Sequence, residues 1–344
     1  MNMSIIAASR LRVTDIRLFG SISGVNKYAG GVLAPNGKIY CIPADAEQVL
    51  EIDPSNNTTN LFGNIIGVNK YAGGVLASNG KIYCIPAGAG AEQVLEIDPS
   101  NNTTNLFGNI SGSAKYTGGV LAPNGKIYCI PRNSDQVLEI DPSNNTTISF
   151  GSISGDTKYA GGVLAPNGKI YCIPRNANQV LEIDPSNNTT NLFGSISGEW
   201  YGGVLSTNGK IYCIPLNSNQ VLEIDPSNNT TNLFGSISGS AKYAGGVLAP
   251  NGKIYCIPFN SNQVLEIDPS NNTTNLFGNI SGSAKYTGGV LAPNGKIYGI
   301  SWSSSEILEI SGVSSPNVIG SDANIPASLA NLASSNYNEF YNKL

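Results

Sequence analysis

Short apolar runs separated by turn-forming residues recur along almost the whole chain. The string Gly-Gly-Val-Leu begins at Gly30 and returns six more times, at spacings of 43, 45, 43, 41, 43 and 43 residues. Each copy continues through Asn-Gly-Lys-Ile-Tyr, Gln-Val-Leu-Glu-Ile-Asp-Pro and Thr-Thr-Asn-Leu-Phe-Gly or close variants, and the seventh copy is degenerate. A fixed period of this length indicates a fold built by repeating one structural unit.

One unit of the repeat predicts four β-strands. In the third copy the predicted strands A to D cover residues 118–122, 126–130, 136–140 and 146–150. Asn124-Gly125 supplies the positive φ angles of a tight hairpin turn between A and B, and Asp141-Pro142 begins the C–D turn. Strands B and C are apolar on both faces, so both faces of each sheet must be covered. Seven such units predict an all-β fold, a seven-bladed β-propeller of four-stranded antiparallel blades.

The two ends of the repeat region complement each other. The seventh unit has strands A, B and C but no fourth strand, because Ser311-Gly312 replaces the Asp-Pro turn. Leu18-Phe19-Gly20 near the amino terminus matches strand D of the other units. A strand within residues 16–23 is therefore predicted to complete blade seven and close the ring without an open edge.

These limits divide the chain into an N-terminal arm at residues 1–13, a propeller at 14–312 and a C-terminal extension at 313–344. In the extension, Pro326 suits the first turn of a helix, and Leu329, Leu332 and Phe340 are partly spaced for one apolar face. A partly helical extension docked on the ring is predicted, with a tether to a partner or a membrane surface as the alternative.

The repeat resembles a known propeller family. Asn-Gly-Lys-Ile-Tyr-Cys-Ile-Pro followed by Gln-Val-Leu-Glu-Ile-Asp-Pro-Ser-Asn-Asn-Thr is similar to the YVTN-type repeat, and more loosely to NHL and Kelch repeats. The resemblance covers residues 16–312 and implies the fold. Propellers with such repeats serve as binding platforms, adhesins and scaffolds, and occasionally as lyases or lactonases. The Trp-Asp pair of WD40 repeats and the metal-binding set of the lactonases are absent, so no site residue is carried over.

Composition excludes several classes of function. The 344 residues include 19 Lys and Arg, 23 Asp and Glu and no histidine, which gives a net charge of -4. Without histidine the chain lacks Ser-His and Cys-His pairs and the imidazole metal site. No cluster of Lys and Arg provides the electrostatic footprint of a nucleic-acid binder. We therefore expect no cofactor, no metal and no nucleic-acid partner.

Targeting signals and cysteines bear on location. No window approaches the roughly 18 consecutive apolar residues of a membrane helix, and no basic region precedes the short apolar run at residues 5–8, so neither membrane insertion nor a signal peptide is predicted. Six cysteines share one position on strand B: Cys41, Cys84, Cys129, Cys172, Cys213 and Cys256. Neighbouring sheets pack too far apart for disulfides at this position, so free buried thiols are predicted. Free thiols favour a reducing, cytoplasmic location.

The acidic residues repeat with the same regularity. Asp53 and its copies place one carboxylate in each C–D turn, which is too few for a calcium loop, so an ordinary Asp-Pro turn is predicted. Glu51 and its copies alternate with apolar neighbours on strand C. Their identical placement favours a polar face or a buried pair with residues like Lys38 over catalytic carboxylates.

Differences between the copies collect on one side of the predicted ring. The A–B and C–D turns are nearly invariant, whereas the D–A connections and the B–C loops differ; these loops lie at residues 44–47, 87–92, 132–135, 175–178, 216–219, 259–262 and 302–305. In an up-and-down blade the B–C loops and D–A connections emerge together, on a surface termed here the loop face. The A–B and C–D turns form the opposite surface, the turn face.

The first residue of each B–C loop differs most between copies. Around the ring these residues are Ala44, Ala87, Arg132, Arg175, Leu216, Phe259 and Trp302. Two arginines and two large aromatic residues suit an anionic or aromatic group. The same rim is predicted to carry Trp200 and a set of tyrosines, each preceded by lysine: Tyr28, Tyr71, Tyr116, Tyr159, Tyr243 and Tyr286. Apart from the two alanines, these are the candidate ligand-binding residues, and drift in exposed loops is the alternative.

These patterns favour a monomeric, non-catalytic binding or scaffold propeller that recognises a protein or another ligand through its loop face. Near-identical blades also suit a multivalent, lectin-like glycan-binding module, in which avidity multiplies weak affinities. A propeller lyase or hydrolase is the third alternative. No asymmetric catalytic cluster is visible in the sequence, so the chain is not expected to be an enzyme.

Overall fold

The computed structural model describes residues 14–314, in which 28 strands form seven four-stranded antiparallel sheets. This confirms the predicted seven-bladed propeller. No helix occurs within these residues, and so none is long and apolar enough to cross a membrane. The predicted N-terminal arm, and all of the predicted C-terminal extension after residue 314, lie outside the described residues.

Each blade is a meander whose strands A to D run outward from the ring axis. Blades one and two contain β2 (Tyr28–Leu33), β3 (Ile39–Pro43), β4 (Val49–Asp53), β5 (Thr58–Phe62), β6 (Tyr71–Leu76), β7 (Ile82–Pro86), β8 (Val94–Asp98) and β9 (Thr103–Phe107). Blades three and four contain β10 (Tyr116–Leu121), β11 (Ile127–Pro131), β12 (Val137–Asp141), β13 (Thr146–Phe150), β14 (Tyr159–Leu164), β15 (Ile170–Pro174), β16 (Val180–Asp184) and β17 (Thr189–Phe193).

The remaining three blades follow the same order. Blades five and six contain β18 (Trp200–Leu205), β19 (Ile211–Pro215), β20 (Val221–Asp225), β21 (Thr230–Phe234), β22 (Tyr243–Leu248), β23 (Ile254–Pro258), β24 (Val264–Asp268) and β25 (Thr273–Phe277). Blade seven contains β26 (Tyr286–Leu291), β27 (Ile297–Ser301), β28 (Ile307–Ser311) and β1 (Asp15–Phe19).

Strand A begins two residues earlier than the sequence predicts, because a β-bulge extends it. In blade three the pairing with strand B shifts register between Tyr116 and Gly119. Gly118 lies in this bulge with a φ of 80°, a conformation that glycine adopts without strain. The second glycine has a different role: a Cβ atom on Gly119 would lie 2.7 Å from Cδ1 of Ile85 in the preceding blade. The Gly-Gly pair thus bends strand A and lets adjacent blades approach closely.

The A–B turn differs in type from the predicted hairpin. Gly125 has a positive φ of 79°, but Asn124 does not. The Gly125 N–H donates to the carbonyl of Ala122 at 2.9 Å, so the turn spans Pro-Asn-Gly rather than Asn-Gly alone. Asn124 is therefore free to use its side chain between blades, where its amide nitrogen donates to the Tyr128 hydroxyl at 2.9 Å and to the Pro185 carbonyl of blade four at 3.1 Å.

Apolar clusters between neighbouring sheets form the core of the ring. Between blades two and three, Tyr83, Ile85 and Val94 pack with Ile127 and Cys129, and all five side chains are buried. Equivalent clusters occupy the other junctions. The two apolar faces of strands B and C are thus buried against the blades on either side.

The ring closes through its two ends, as predicted. Strand β1 pairs antiparallel with β28, with Leu18 opposite Leu308 and Phe19 opposite Ile307. The Phe19 ring contacts the Tyr298 ring edge to face, with centroids 5.9 Å apart. The Ile22 N–H then donates to the Ser305 carbonyl at 2.8 Å. Residues near the amino terminus thus provide the outer strand of the last blade.

The six cysteines are buried and unpaired, which confirms the predicted free thiols. Burial raises the pKa of the Cys129 thiol well above its ordinary value, and the same holds for its copies. Because the thiolate is the reactive form, we expect thiol titration of the native protein to find no fast-reacting group and denaturation to release all six. A native mass that rises on reduction would contradict this prediction, since it would reveal disulfides.

Candidate functional site

On the turn face, the polar side chains form hydrogen bonds and ion pairs within and between blades. In blade four, the Lys169 ammonium donates to Glu182 Oε1 at 2.7 Å and the Tyr171 hydroxyl donates to Glu182 Oε2 at 3.2 Å. Asn229 of blade five donates to the same Oε2 at 2.9 Å. Burial alone would raise the pKa of Glu182, but these three donors hold it below its usual range. The glutamate is therefore a structural anion paired with lysine, one of the two roles predicted for it.

The asparagine contact repeats around the ring and forms a turn-face belt. Its six donor–acceptor pairs are Asn57–Glu309, Asn102–Glu51, Asn145–Glu96, Asn188–Glu139, Asn229–Glu182 and Asn272–Glu223. Among the described residues no asparagine reaches Glu266, because the degenerate turn of blade seven lacks one. At that junction the Asn251 N–H donates to the Val313 carbonyl at 3.3 Å instead.

The acidic C–D turns are ordinary turns, as predicted. Asp53 Oδ1 accepts hydrogen bonds from the Ser55 N–H at 2.9 Å and from the Ser55 hydroxyl at 2.6 Å. These two donors lower the pKa of Asp53. Within residues 14–314, no three Cys, Asp, Glu or His side chains are grouped so that they could hold a metal ion.

A second belt joins the blades on the loop face. The backbone N–H before strand A of one blade donates to the carbonyl of the first B–C loop residue of the preceding blade. The six donor–acceptor pairs are Lys27–Trp302, Lys70–Ala44, Lys115–Ala87, Lys158–Arg132, Lys242–Leu216 and Lys285–Phe259. In the described chain this loop-face belt is interrupted only between blades four and five, where Glu199 does not bond to Arg175.

The predicted rim tyrosines lie inside the ring rather than on its surface, and this corrects their expected position. Tyr28, Tyr71, Tyr116, Tyr159, Tyr243 and Tyr286 are each at most 4% exposed, and Trp200 is fully buried. The side chains face the apolar clusters between blades because strand A begins at these residues, ahead of its bulge. These seven residues support the loop face and do not form its accessible surface.

The lysines that precede the tyrosines are also buried and tie loops together. The Lys27 ammonium donates to the Gly24 carbonyl at 2.7 Å and to the Ser304 carbonyl of blade seven at 2.8 Å. In blade three, Lys115 likewise reaches the preceding blade through the Gly88 carbonyl at 2.8 Å. Burial lowers the pKa of these lysines, in the case of Lys285 to about 8.

Blade five departs from this pattern, and the departure is confined to the loop face. Its D–A connection is two residues shorter, and Glu199 takes the lysine position. Instead of holding the loop of blade four, the Glu199 carboxylate accepts a hydrogen bond from Asn217 of its own blade at 2.7 Å. In blade three, Asn133 Oδ1 accepts the Thr157 N–H of the next blade at 2.8 Å, whereas the equivalent Asn176 of blade four makes no such bond within the described residues.

Three side chains, one each from blades three, four and five, lie beside the interruption of the loop-face belt. Arg132 and Arg175 follow strand B of adjacent blades, and Tyr201 is the second residue of strand A in blade five. The Arg175 guanidinium carbon lies 5.8 Å from the centroid of the Tyr201 ring, a cation–π distance. Burial raises the pKa of Tyr201, and both arginines act to lower it, whereas burial and the charge of Arg175 lower the pKa of Arg132. The predicted arginine pair and Tyr201 therefore influence one another electrostatically and form one cationic site.

A narrow cavity on the ring axis adjoins this site. Its walls are second and third residues of strand A from five blades: Ala29, Gly30, Ala72, Gly73, Thr117, Tyr201, Thr287 and Gly288. The cavity volume is about 20 Å³, which is enough to hold a group the size of a water molecule. Blade five presents Tyr201 where blades one and two present only alanine.

The other candidate residues of the loop face are not part of this cluster. Leu216 is 6% exposed and therefore buried, while Phe259 and Trp302 are partly exposed. Among the described residues no cation–π contact joins either arginine to Phe259 or Trp302. The aromatic partner of Arg175 is Tyr201 instead.

Tyr201 and Thr117 were missing from the sequence-predicted site. A signal for both residues exists in the chain: the second residue of strand A reads Ala29, Ala72, Thr117, Ala160, Tyr201, Ala244 and Thr287 around the ring. The variation lies inside a strand that is otherwise constant, so a search restricted to loops overlooks it. Comparison of the copies position by position shows this variation at the second residue of strand A.

Comparisons with known proteins agree with the architecture. Residues 72–240 match a family described as "Repeat of unknown function (DUF6923)". No curated protein sequence matches the chain.

Solved structures similar to the chain include lyases. Streptogramin B lyase is 14% identical, with a TM-score of 0.75 over 87% of this chain and 97% of that one. A catalytically inactive histidine-to-alanine variant of virginiamycin B lyase from Staphylococcus aureus, with quinupristin, is 13% identical, with a TM-score of 0.75 over 87% and 99%. Hydrazine synthase from Kuenenia stuttgartiensis is 13% identical, with a TM-score of 0.66 over 86% and 98%. At such identities the likeness shows the fold alone. The chain is a seven-bladed β-propeller of nearly identical four-stranded blades, and its blades two to five match the DUF6923 repeat.

Proposed function

We propose that this propeller is a non-catalytic binding or scaffold module that recognises a protein ligand through its loop face. The observation that carries the proposal is the different use of polar groups on the two faces. On the turn face, lysine, glutamate, tyrosine and asparagine side chains satisfy one another in nearly every blade. On the loop face, Arg132 and Arg175 have no anionic partner among the described residues, and Phe259 and Trp302 are partly exposed.

The position of the sequence differences supports the same face. Residues that must satisfy a repeated structural contact are constrained to be identical, as Asn229 and Glu182 and their copies are. The loop-face residues Arg132, Arg175, Phe259 and Trp302 differ from blade to blade without breaking the ring. Arginine and large aromatic side chains are also the residue types enriched at energetically important positions of protein interfaces.

The two alternatives have weaker support. A multivalent glycan module needs equivalent sites in several blades, but at the first B–C loop position arginine occurs in two of the seven blades and phenylalanine and tryptophan in one each. A lyase is favoured only by the fold, since the similar lyase structures are at most 14% identical to this chain. One of those enzymes is described as inactive when a histidine is replaced by alanine, and this chain contains no histidine.

Paired substitutions on the loop face test the proposal. Arg132→Ala with Arg175→Ala, or Phe259→Ala with Trp302→Ala, should weaken capture of a partner without unfolding the ring. Truncated anchors at a protein interface commonly cost about 2 kcal/mol or more each. The measurement is quantitative pull-down against the parent protein, followed by affinity measurement on the recovered partner and a glycan array in parallel.

The matched control lies on the turn face. Asn36 donates to the Tyr40 hydroxyl at 2.9 Å and to the Pro99 carbonyl of the next blade at 3.1 Å, so Asn36→Ala with Asn124→Ala should lower stability but leave affinity unchanged. Equal affinity of the parent and both loop-face variants would show that the loop differences are drift. Glycan-array binding that persists in both loop-face variants would favour the lectin-like alternative.

A further inference from the structure

The two arginines of the loop face are cations without a counter-charge. Within residues 14–314, neither guanidinium donates a hydrogen bond or forms an ion pair, although the lysine just before each strand B pairs with a glutamate. The Arg132 Nε atom is buried and has no partner. An unsatisfied buried donor is costly, and two like charges side by side add to the cost. Such an arrangement indicates a ligand that supplies the missing acceptors.

A second unsatisfied group lies in the adjoining cavity. Thr117 is 4% exposed, lines the cavity, and its hydroxyl has no partner among the described residues. The equivalent hydroxyl of Thr287 in blade seven donates to the Tyr28 carbonyl at 2.9 Å. The position can therefore be satisfied within the ring, but in blade three it is left unpaired in the wall of a cavity large enough for one oxygen atom.

Blade five lacks bonds that tie the loops at other junctions, and Arg132, Arg175 and Tyr201 are each partly exposed. In the described chain, the Arg175 loop lacks both the backbone bond found at the other six junctions and an asparagine bond like that of Asn133, and Glu199 replaces the lysine that reaches the preceding blade at some junctions. Arg175 is consequently restrained by the contact of its side chain with the Tyr201 ring of blade five rather than by a backbone bond to that blade. This is the one junction at which the loop-face belt is interrupted in the described chain, and it lies beside both arginines.

We propose that Arg132, Arg175, Tyr201 and Thr117 form a binding site for an oxyanion, a carboxylate or phosphate group of the ligand; this deepens the proposed function and rests on it. The guanidinium groups donate charge-assisted hydrogen bonds to the anion at the mouth of the cavity. Thr117 donates to the one oxygen that enters the cavity. Tyr201 positions Arg175 through its ring face.

Arginine side-chain NMR tests the site with simple probes. The chain contains five arginines, so the ¹⁵Nε–¹H resonances can be assigned with single Arg→Lys variants. Sodium acetate and inorganic phosphate are titrated separately at constant ionic strength set by sodium chloride. The resonances of Arg132 and Arg175 should shift and saturate, whereas that of Arg17 on the outer strand β1 should not. The probe with the higher affinity identifies the anion as a carboxylate or a phosphate.

Variants assign the roles of the remaining residues. Arg132→Ala or Arg175→Ala should weaken binding of the preferred probe by about tenfold or more. Thr117→Val, which keeps the shape and removes the hydroxyl, should weaken it less, and Tyr201→Phe, which keeps the ring, should bind like the parent. Tyr201→Ala should weaken binding, and Arg17→Ala is the charge-matched control. Circular dichroism of each variant checks that the ring is folded.

Two results would overturn the proposal: no shift at either arginine, or parallel and unsaturated shifts of all five. Saturable binding unaffected by Thr117→Val and Tyr201→Ala would also contradict the four-residue site. These failures differ from failure of the proposed function. If the Phe259→Ala with Trp302→Ala variant still loses a partner while no anion binds, the loop face remains a recognition surface and only the oxyanion site is wrong.

Discussion

Deletion of residues 1–24 is expected to cause aggregation or a large loss of stability. The deletion removes strand β1 and exposes the edge of β28, whose unpaired N–H and C=O groups can pair with another chain. It also removes Phe19 and Ile22, which are each 8% exposed in the intact ring. Size-exclusion chromatography and thermal unfolding measure the effect. A truncated protein that stays monomeric with an unchanged Tm would contradict this mode of closure.

Point variants separate loss of packing from loss of the whole strand. Phe19→Ala removes the buried ring that packs on Tyr298 and should cost about 3–5 kcal/mol of unfolding free energy. The adjacent Leu18 is 39% exposed, so Leu18→Ala should cost much less. Denaturant unfolding of the two variants makes the comparison within one strand. Equal losses would indicate that closure depends on the backbone pairing alone.

Removal of the buried glutamate in blade four is expected to have the second large effect. Glu182→Ala leaves the Tyr171 hydroxyl and the Asn229 amide without their shared acceptor, while Lys169 is partly exposed and can return to water. We expect a loss of about 2–4 kcal/mol, because a buried polar group that loses its partner costs about 1–3 kcal/mol. Urea unfolding at neutral pH measures the loss.

Blade six offers a matched control for this prediction. Glu266 bonds to Lys253 and Tyr255 but receives no asparagine among the described residues. Glu266→Ala should therefore cost less than Glu182→Ala, by about 1.5–3 kcal/mol, the contribution of a hydrogen bond to a charged group. Equal losses would show that the turn-face belt adds nothing to stability.

Much of the fold is predictable from local sequence because each blade repeats the same pattern of apolar runs and turn-forming residues. The spacing of Gly30 and its copies fixes the number of blades, and the match of Leu18-Phe19-Gly20 to strand D predicts the closure. Strand bounds were less accurate, since the bulge at Gly118 depends on the close approach of the neighbouring blade. The hairpin type was wrong for a related reason: Asn124 bonds to Pro185 of blade four, a contact that the local sequence does not reveal.

The candidate site was only partly predictable. Comparison of the loops predicted Arg132 and Arg175 as binding residues, and in the structure Arg175 lies against the ring of Tyr201, which lines the cavity on the ring axis. The tyrosine positions were wrong because a side chain next to a variable loop can still face the core, as Tyr28 does. Tyr201 was overlooked because the D–A connection of blade five is two residues shorter than in the other blades. As a result, Trp200 takes the position of the buried tyrosines, and Tyr201 takes the next position along strand A. Which of two adjacent aromatic residues faces the axis depends on the start of strand A, which the sequence alone leaves open.

The two belts also determine how the ring can deform. The loop-face belt is interrupted between blades four and five, and the turn-face belt between blades six and seven, so every pair of neighbours keeps at least one. Blades four and five remain joined on the turn face by the bond from Asn229 to Glu182. Separation of blades four and five beside Arg175 is therefore opposed from the turn face by this bond and between the sheets by their shared apolar cluster, which includes Tyr171 and Trp200.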